Sequence, residues 1–361
     1  MNVKNLLTRS TRSGAVALAV VWLAGCASTV KDYGLDDYFS GGEVSAGSTG
    51  TSEQCAGTPN AVWVEGPSYH ECIRYFPSKD FDSGAVNSTV SRAIVFMEGD
   101  VLSTKGAGAG YSKWSPRREI EMAQLEQKRG GTPYLTLARP GTDGSSGNQN
   151  RRRTQYETLV MNAALDKIKA RYGIKEFGLV GQSGGGGLVA ALIAERQDVL
   201  CAVSSSGGTA VRYRAIEAGR SNDYTGTSLS DVWDPIDQLP RVHRMPGFRM
   251  FVTSDASDTD VDFGSQDHYV QAATKAGLPI HQIMVHGAGR SHHQTSRIGN
   301  RVVEDCMLGL PTDHIVSTYM DMSNANPLMS ALAARERALA TGSQAEAGSN
   351  ETKDEDSNVA R

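Results

Sequence analysis

Phe177-Gly178-Leu179-Val180-Gly181-Gln182-Ser183-Gly184-Gly185-Gly186-Gly187-Leu188 is the stretch on which the reading of this chain turns. An apolar run leads into G-x-S-x-G at 181–185, and a second apolar run starts at Leu188. The pattern predicts a strand over 176–181, a helix over 185–196 and a sharp turn between them. In such a turn the residues two before and two after the serine must lack side chains. Gly181 and Gly185 meet that demand. The Ser183 oxygen would then stand above a sheet at a helix N-terminus, where backbone amides and the helix dipole favour an anion. Phosphate-binding readings fail on spacing. No Gly-Lys-Ser/Thr closes a P-loop, and G-x-G-x-x-G is missing from this turn. The alternating glycines of 106–110 have the wrong spacing too and read as loop.

Outward from this turn the chain alternates. Strands are expected at 91–99, 132–139, 176–181, 199–205, 248–254 and 280–286. Helices are expected at about 115–129, 154–172, 185–196, 263–276 and 293–307. Such alternation implies an α/β fold with a mostly parallel central sheet covered by helices on both faces. Residues 61–76 read as an antiparallel strand pair at the sheet edge. About 40 residues between 205 and 248 make a short cap insertion, placed at about 209–246.

A serine at such a turn needs a base and an acid, and both follow it in the chain. The loop after 248–254 carries Asp255, Asp258, Asp260 and Asp262. The last three match the first ligand positions of a calcium loop, but the glycine comes one place late and position twelve is Tyr269, so no metal is expected. After 280–286 come Gly287, Gly289, Arg290, Ser291, His292 and His293, ahead of the last helix. His281 and His286 fall within or at the end of the strand, where a structural histidine is the default. His70, His243, His268 and His314 lie outside this order.

The D-x-x-V spacing of Asp258 and Val261 resembles the loop of prolyl-oligopeptidase-like and dienelactone-hydrolase-like enzymes of the α/β-hydrolase superfamily. From about 91 to 295 the chain also resembles bacterial α/β-hydrolase lipoproteins, in Glu98-Gly99-Asp100, Arg139-Pro140-Gly141, the DGSSG of 143–147 and the GxSGGG of 181–186. The resemblance implies a Ser183, Asp258 and His292 triad, with Asp255 and His293 as the alternatives. Relatives often have G-x-G-H after the last strand, which makes Arg290-Ser291 a short insertion and favours His292. The implied oxyanion donors are the amides of Gly184 and Asp100, the latter where many esterases carry His-Gly-Gly. Glu98 and Asp100 are acids where negative charge should develop, so they must point away or be neutralised by Arg139 or another cation. The resemblance implies a carboxylic ester hydrolase acting through an acyl-enzyme, with a small ester or acyl substrate and no cofactor. A prolyl-oligopeptidase-like peptidase and a non-catalytic envelope binding protein are the alternatives. Arg151-Arg152-Arg153 reads first as a solvated basic face, and second as a site for an acidic group.

The chain has 361 residues and a net charge of −4, which gives no support for a nucleic-acid partner. Lys4, Arg9 and Arg12 precede an apolar run, Ala15–Ala24, too short to span a bilayer. It ends in Leu23-Ala24-Gly25-Cys26, which resembles a lipobox and implies a lipid anchor at Cys26, with Ala27 favouring the outer membrane of a bacterial envelope. Residues 1–26 are thus read as a signal peptide, 27–54 as a flexible tether, 55–335 as the domain and 336–361 as a disordered acidic tail. Four further cysteines allow three pairings. The local pair Cys55–Cys72 is favoured and would leave Cys201–Cys306, with buried free thiols as the alternative.

Overall fold

The computed structural model describes residues 28–81, 90–103, 106–108 and 110–324. The expected signal peptide, Cys26 and acidic tail lie outside them. Eight strands form the central sheet: β1 (Ala61–Gly66), β2 (Tyr69–Pro77), β3 (Arg92–Met97), β4 (Tyr134–Leu137), β5 (Glu176–Gln182), β6 (Val199–Ser205), β7 (Arg249–Ser254) and β8 (Ile280–Met284). Their order is β8-β7-β6-β5-β3-β4-β2-β1. From β4 to β8 all neighbours run parallel. The β1–β2 hairpin is antiparallel and adds to β4 at one edge, as expected.

Residues 28–54 are not a tether. Helices α1 (Gly41–Ala46) and α2 (Ser52–Gly57) form here, α2 opened by a Thr51–Gln54 capping box. Ser28-Thr29 pairs with Ser48-Thr49. Tyr33, Phe39 and Val44 are buried against Phe76, Leu102 and Tyr111. The average composition of this stretch is polar. Three well-spaced large apolar side chains nevertheless suffice to dock it, because apolar burial scales with area and not with composition.

Helix α3 (Pro116–Gly130) starts behind the N-cap Ser115 and stops at Gly131, whose φ of 104° suits glycine. It is followed by α4 (Gln155–Tyr172), α5 (Gly184–Leu192), α6 (Val211–Glu217), α7 (Pro235–Gln238), α8 (Phe263–Lys275), α9 (Ser296–Met307) and α10 (Thr312–Tyr319). Helix α10 was not expected from the sequence. It packs Ile315 and Tyr319 into the same core as α9, and the Tyr319 hydroxyl donates to Asp305 at 2.7 Å.

The strands read as unbroken apolar runs because both sheet faces are covered. Ile94, Val180, Val203 and Phe251 turn to one face, against Ile298, Val302 and Val303 of α9. Their neighbours Val95, Leu179, Ala202 and Val252 turn to the other, against Val160 and Leu165 of α4 and Leu188 and Val189 of α5. Pairing of the cysteines is as favoured, Cys55 with Cys72 and Cys201 with Cys306. The second bond ties β6 to α9 across 105 residues of chain. Closing so long a loop in the unfolded state is worth about 3–5 kcal/mol. The Cys201→Ala/Cys306→Ala protein is therefore expected to unfold at a clearly lower denaturant concentration. An unchanged midpoint would refute this.

Candidate functional site

Three loops at the carboxyl ends of β5, β7 and β8 meet, where open α/β sheets hold their ligands. Ser183 follows β5 as the N-cap of α5, with φ 56° and ψ −117°. A non-glycine residue persists there only when its surroundings over-determine it. Its amide donates to the Ser205 carbonyl at 2.8 Å, and its carbonyl accepts from the amides of Gly187 and Gly208. Glycine is required on both sides: a Cβ on Gly181 would overlap the Gly185 backbone, and one on Gly185 would overlap the Met97 carbonyl. As the first residue of α5, Gly184 has an amide with no acceptor inside the helix.

Asp258 is buried in the loop after β7. Its Oδ1 accepts from the amides of Asp260 and Val261, at 2.9 and 3.0 Å, which fixes the carboxylate. Its partner is His293, not His292. His293 Nδ1 lies 2.9 Å from Asp258 Oδ2 and 3.1 Å from Oδ1, with both side chains almost wholly buried. His292 is a half-exposed side chain whose Nδ1 lies 3.4 Å from Asp255. The loop after β8 turns tightly here: His292 adopts φ 56°, and Ala288 pairs with Gln294. That turn sends His293 inward and His292 out. Two adjacent histidines on a loop differ in this only through tertiary geometry, and counting an insertion from G-x-G-H selected the wrong one for the Asp258 contact. Asp255 holds the loop instead, accepting from the Gly287 and Ser257 amides. Asp262 caps α8 and pairs with Arg214, so Asp258 and Asp262 have separate tasks.

Gln182, which sequence reading passed over, clamps the histidine loop to the serine turn. Its Nε2 donates to the His293 carbonyl at 2.8 Å, and its Oε1 accepts from the amides of Thr295 and Ser296. This is why α9 begins at Ser296 and not at 293. The residue just before the serine stands where its side chain reaches that loop, and its polarity inside an apolar strand was the available signal.

Ser183 and His293 line one cavity of about 620 Å³, walled also by Glu98, Gly99, Asp100, Tyr111, Trp114 and Tyr224. The loop after β3 lies against the serine, since a Cβ on Gly99 would sit 3.2 Å from Ser183 Cβ. Asp100 is neutralised as the sequence required. Arg139 Nη1 donates to it at 2.8 Å and Arg153 Nη2 at 2.7 Å, with Arg152 at 3.7 Å. Burial alone would raise the Asp100 carboxyl, but Arg153, Arg139 and Arg152 hold it well below the usual carboxylate range. Arg139 is itself buried and also pairs with Glu157, at 2.7 Å. Of the basic run of 151–153 only Arg151 is exposed: Arg152 and Arg153 turn inward, and Arg153 also pairs with Asp223 at 3.0 Å.

Among the described residues no cation forms an ion pair with Glu98. Burial, and then the charge of Asp143, push its carboxyl up to about 7. A carboxyl raised in the folded state stabilises the fold fully below its unfolded value near 4.5, and loses that contribution as pH climbs through about 7. Glu98→Gln is expected to flatten the decline of the unfolding midpoint over that window. An unchanged pH profile would sink this assignment.

The arrangement supplies a serine on a strained turn at a cavity, an imidazole oriented by a buried carboxylate, and amides at a helix N-terminus. Together these can carry acyl transfer. A sequence model of the family described as alpha/beta hydrolase fold matches residues 105–239. No curated protein matches the chain in sequence. Among solved structures, Est1E from Butyrivibrio proteoclasticus is 12% identical with a TM-score of 0.45, over 69% of this chain and 98% of that one. The Pyrococcus furiosus esterase Pf2001 is 12% identical with a TM-score of 0.48, over 72% and 95%. The Pyrococcus horikoshii acylaminoacyl peptidase is 10% identical with a TM-score of 0.45, over 70% of this chain and 40% of that one.

Proposed function

We propose that this chain, which has the α/β-hydrolase fold, is a serine hydrolase that cleaves carboxylic esters of small or medium acyl groups. The observation that carries the reading is the His293–Asp258 contact in the cavity that Ser183 lines. Because Nδ1 is engaged by Asp258, Nε2 is the ring nitrogen left for the serine. In the first half-reaction Ser183 Oγ bonds to the carbonyl carbon as its proton passes to His293 Nε2. The Gly184 and Asp100 amides take the oxyanion. The alkoxide then leaves with the proton from His293, and the acyl group stays on Ser183. In the second half-reaction water gives its proton to His293 and attacks the acyl carbon, and Ser183 recovers that proton as the acid departs. Asp258 holds the imidazole in the required tautomer throughout and stabilises its charged form. A cavity of about 620 Å³ accommodates a substrate of this size.

Fluorophosphonate labelling followed by mass spectrometry tests the reading. It expects one adduct, on Ser183, and turnover of 4-nitrophenyl butyrate well above that of the matching anilide. No adduct on folded protein would overturn it, and a preference for the anilide would turn it toward a peptidase.

The same proposal includes a lipid on Cys26, anchoring the domain to the bacterial envelope on the periplasmic face of the outer membrane. Its support is the positive, apolar and Leu-Ala-Gly-Cys succession of residues 4–26. Palmitate incorporation should occur in growing cells and vanish in Cys26→Ser. Incorporation that survives that change, or none at all, would refute it.

A further inference from the structure

The connection between β6 and β7 reaches the Ser183 cavity through Tyr224 and Thr225. The turn that carries them is fixed from within. Asp223 is buried, and its Oδ1 accepts from the amides of Thr225 and Thr227, at 2.8 and 2.7 Å. It is also fixed to the loop after β3. Arg153 donates to Asp223 at 3.0 Å and to Thr225 Oγ1 at 2.9 Å, and its Nη2 donates to Asp100 at 2.7 Å.

A second tie runs to the acid. Arg214 of α6 lays its guanidinium 3.6 Å over the Tyr224 ring, with that of Arg220 at 4.6 Å. The Arg214 guanidinium also donates to the loop after β7, from Nε to Asp262 Oδ2 at 2.9 Å and from Nη2 to the Asp260 carbonyl. Asp260 is one of the two residues whose amides hold the Asp258 carboxylate. One side chain therefore touches both a ring on the cavity wall and the turn that sets the acid. Asp262 is half exposed, so its charge pair with Arg214 contributes little by itself. A guanidinium suits the larger task, because it stacks by its face while it donates along its edge. The Arg214 side chain is largely covered, as that task requires.

Tyr224 is 40% exposed, whereas Tyr111 is buried and Trp114 half-buried. Of the three aromatic rings on this wall it has the most surface to lose when a substrate enters, and burial of apolar surface favours binding. Its rear contacts with arginine hold it ready, which lowers the ordering cost of that contact.

We propose that Tyr224 is a specificity-determining residue whose ring covers an apolar chain of the ester, and that Arg214 is the positioning residue that holds this ring and the Asp258 loop as one unit. This rests on the hydrolase reading above and adds how the same site selects and aligns its substrate. Loss of the ring should weaken selection of the chain. Loss of the guanidinium should weaken that selection and also the proton transfer at His293.

Two ester pairs separate these roles: 4-nitrophenyl octanoate against the acetate for the acyl side, and octyl acetate against ethyl acetate for the alcohol side. In one pair Tyr224→Ala should lower the ratio of kcat/KM, long over short, by at least about fivefold. Arg214→Ala should lower the same ratio, and should also lower kcat for every ester by at least about tenfold. The double variant should show the ratio of Arg214→Ala alone, because both changes remove the same contact. Arg214→Lys keeps a charge and a donor at the Asp258 loop and should recover most of kcat, which a general loss of packing would not allow. Ratios unchanged by Tyr224→Ala in both pairs would overturn the specificity role. An unchanged kcat in Arg214→Ala, a loss that Arg214→Lys does not recover, or ratio losses that multiply in the double variant would overturn the positioning role. In each of these cases the parent is still labelled on Ser183 and still active, so the hydrolase reading stands. A folded parent that neither takes the fluorophosphonate nor hydrolyses any of the esters would overturn the hydrolase reading and this one with it.

Discussion

In His293→Ala, kcat for ester hydrolysis is expected to fall by about 10⁴- to 10⁶-fold, as it should in Ser183→Ala, because serine and histidine act as one unit. His292→Ala should keep kcat within about tenfold of the parent, since a half-exposed ring on Asp255 has no proton to move. The contrast is sharp because the residues are adjacent, so nonspecific damage to the loop would affect both. Circular dichroism and the unfolding midpoint check that His293→Ala stays folded. The opposite order of activities would mean that the loop turns the other way in solution, with His292 on Asp258.

Asp258→Asn is expected to lower kcat by about 10⁴-fold, with KM little changed. The amide can still accept from Asp260 and Val261 through Oδ1, so the loop keeps its shape. What changes is the face toward His293. An NH₂ group there opposes Nδ1–H, favours the wrong tautomer and no longer stabilises the imidazolium. Asp255→Asn should cost far less activity, because its Gly287 and Ser257 bonds are also kept by an amide oxygen and its histidine is His292. Comparing kcat and the unfolding midpoint for both variants separates the two acids. Equal losses in activity would refute the assignment.

Much of this was legible before any coordinates. Apolar runs of 5–7 residues separated by amphipathic stretches announce a covered parallel sheet. Gly181 and Gly185 around Ser183 announce the turn, because no side chain fits at either place. The need to neutralise Asp100 could also be read, and Arg139 named for it, since an uncompensated carboxylate beside a forming oxyanion is untenable. Other features resisted. Arg152 and Arg153 looked like solvated charge because their partners, Asp100 and Asp223, lie 50 to 70 residues away in sequence. Docking of residues 28–54 was hidden by a polar average, and Gln182 by standing next to a more conspicuous serine.

By itself, the sequence determined the α/β architecture, the turn that exposes Ser183 and the order of acid and base after it. These follow from local rules: side-chain periodicity, the steric freedom of glycine and the direction of the chain. Tertiary structure alone decided that His293 meets Asp258 and that three arginines converge on Asp100. Those outcomes depend on distances between segments far apart in the chain. A reversal of one loop residue, such as the positive φ of His292, exchanges which of two neighbours faces inward.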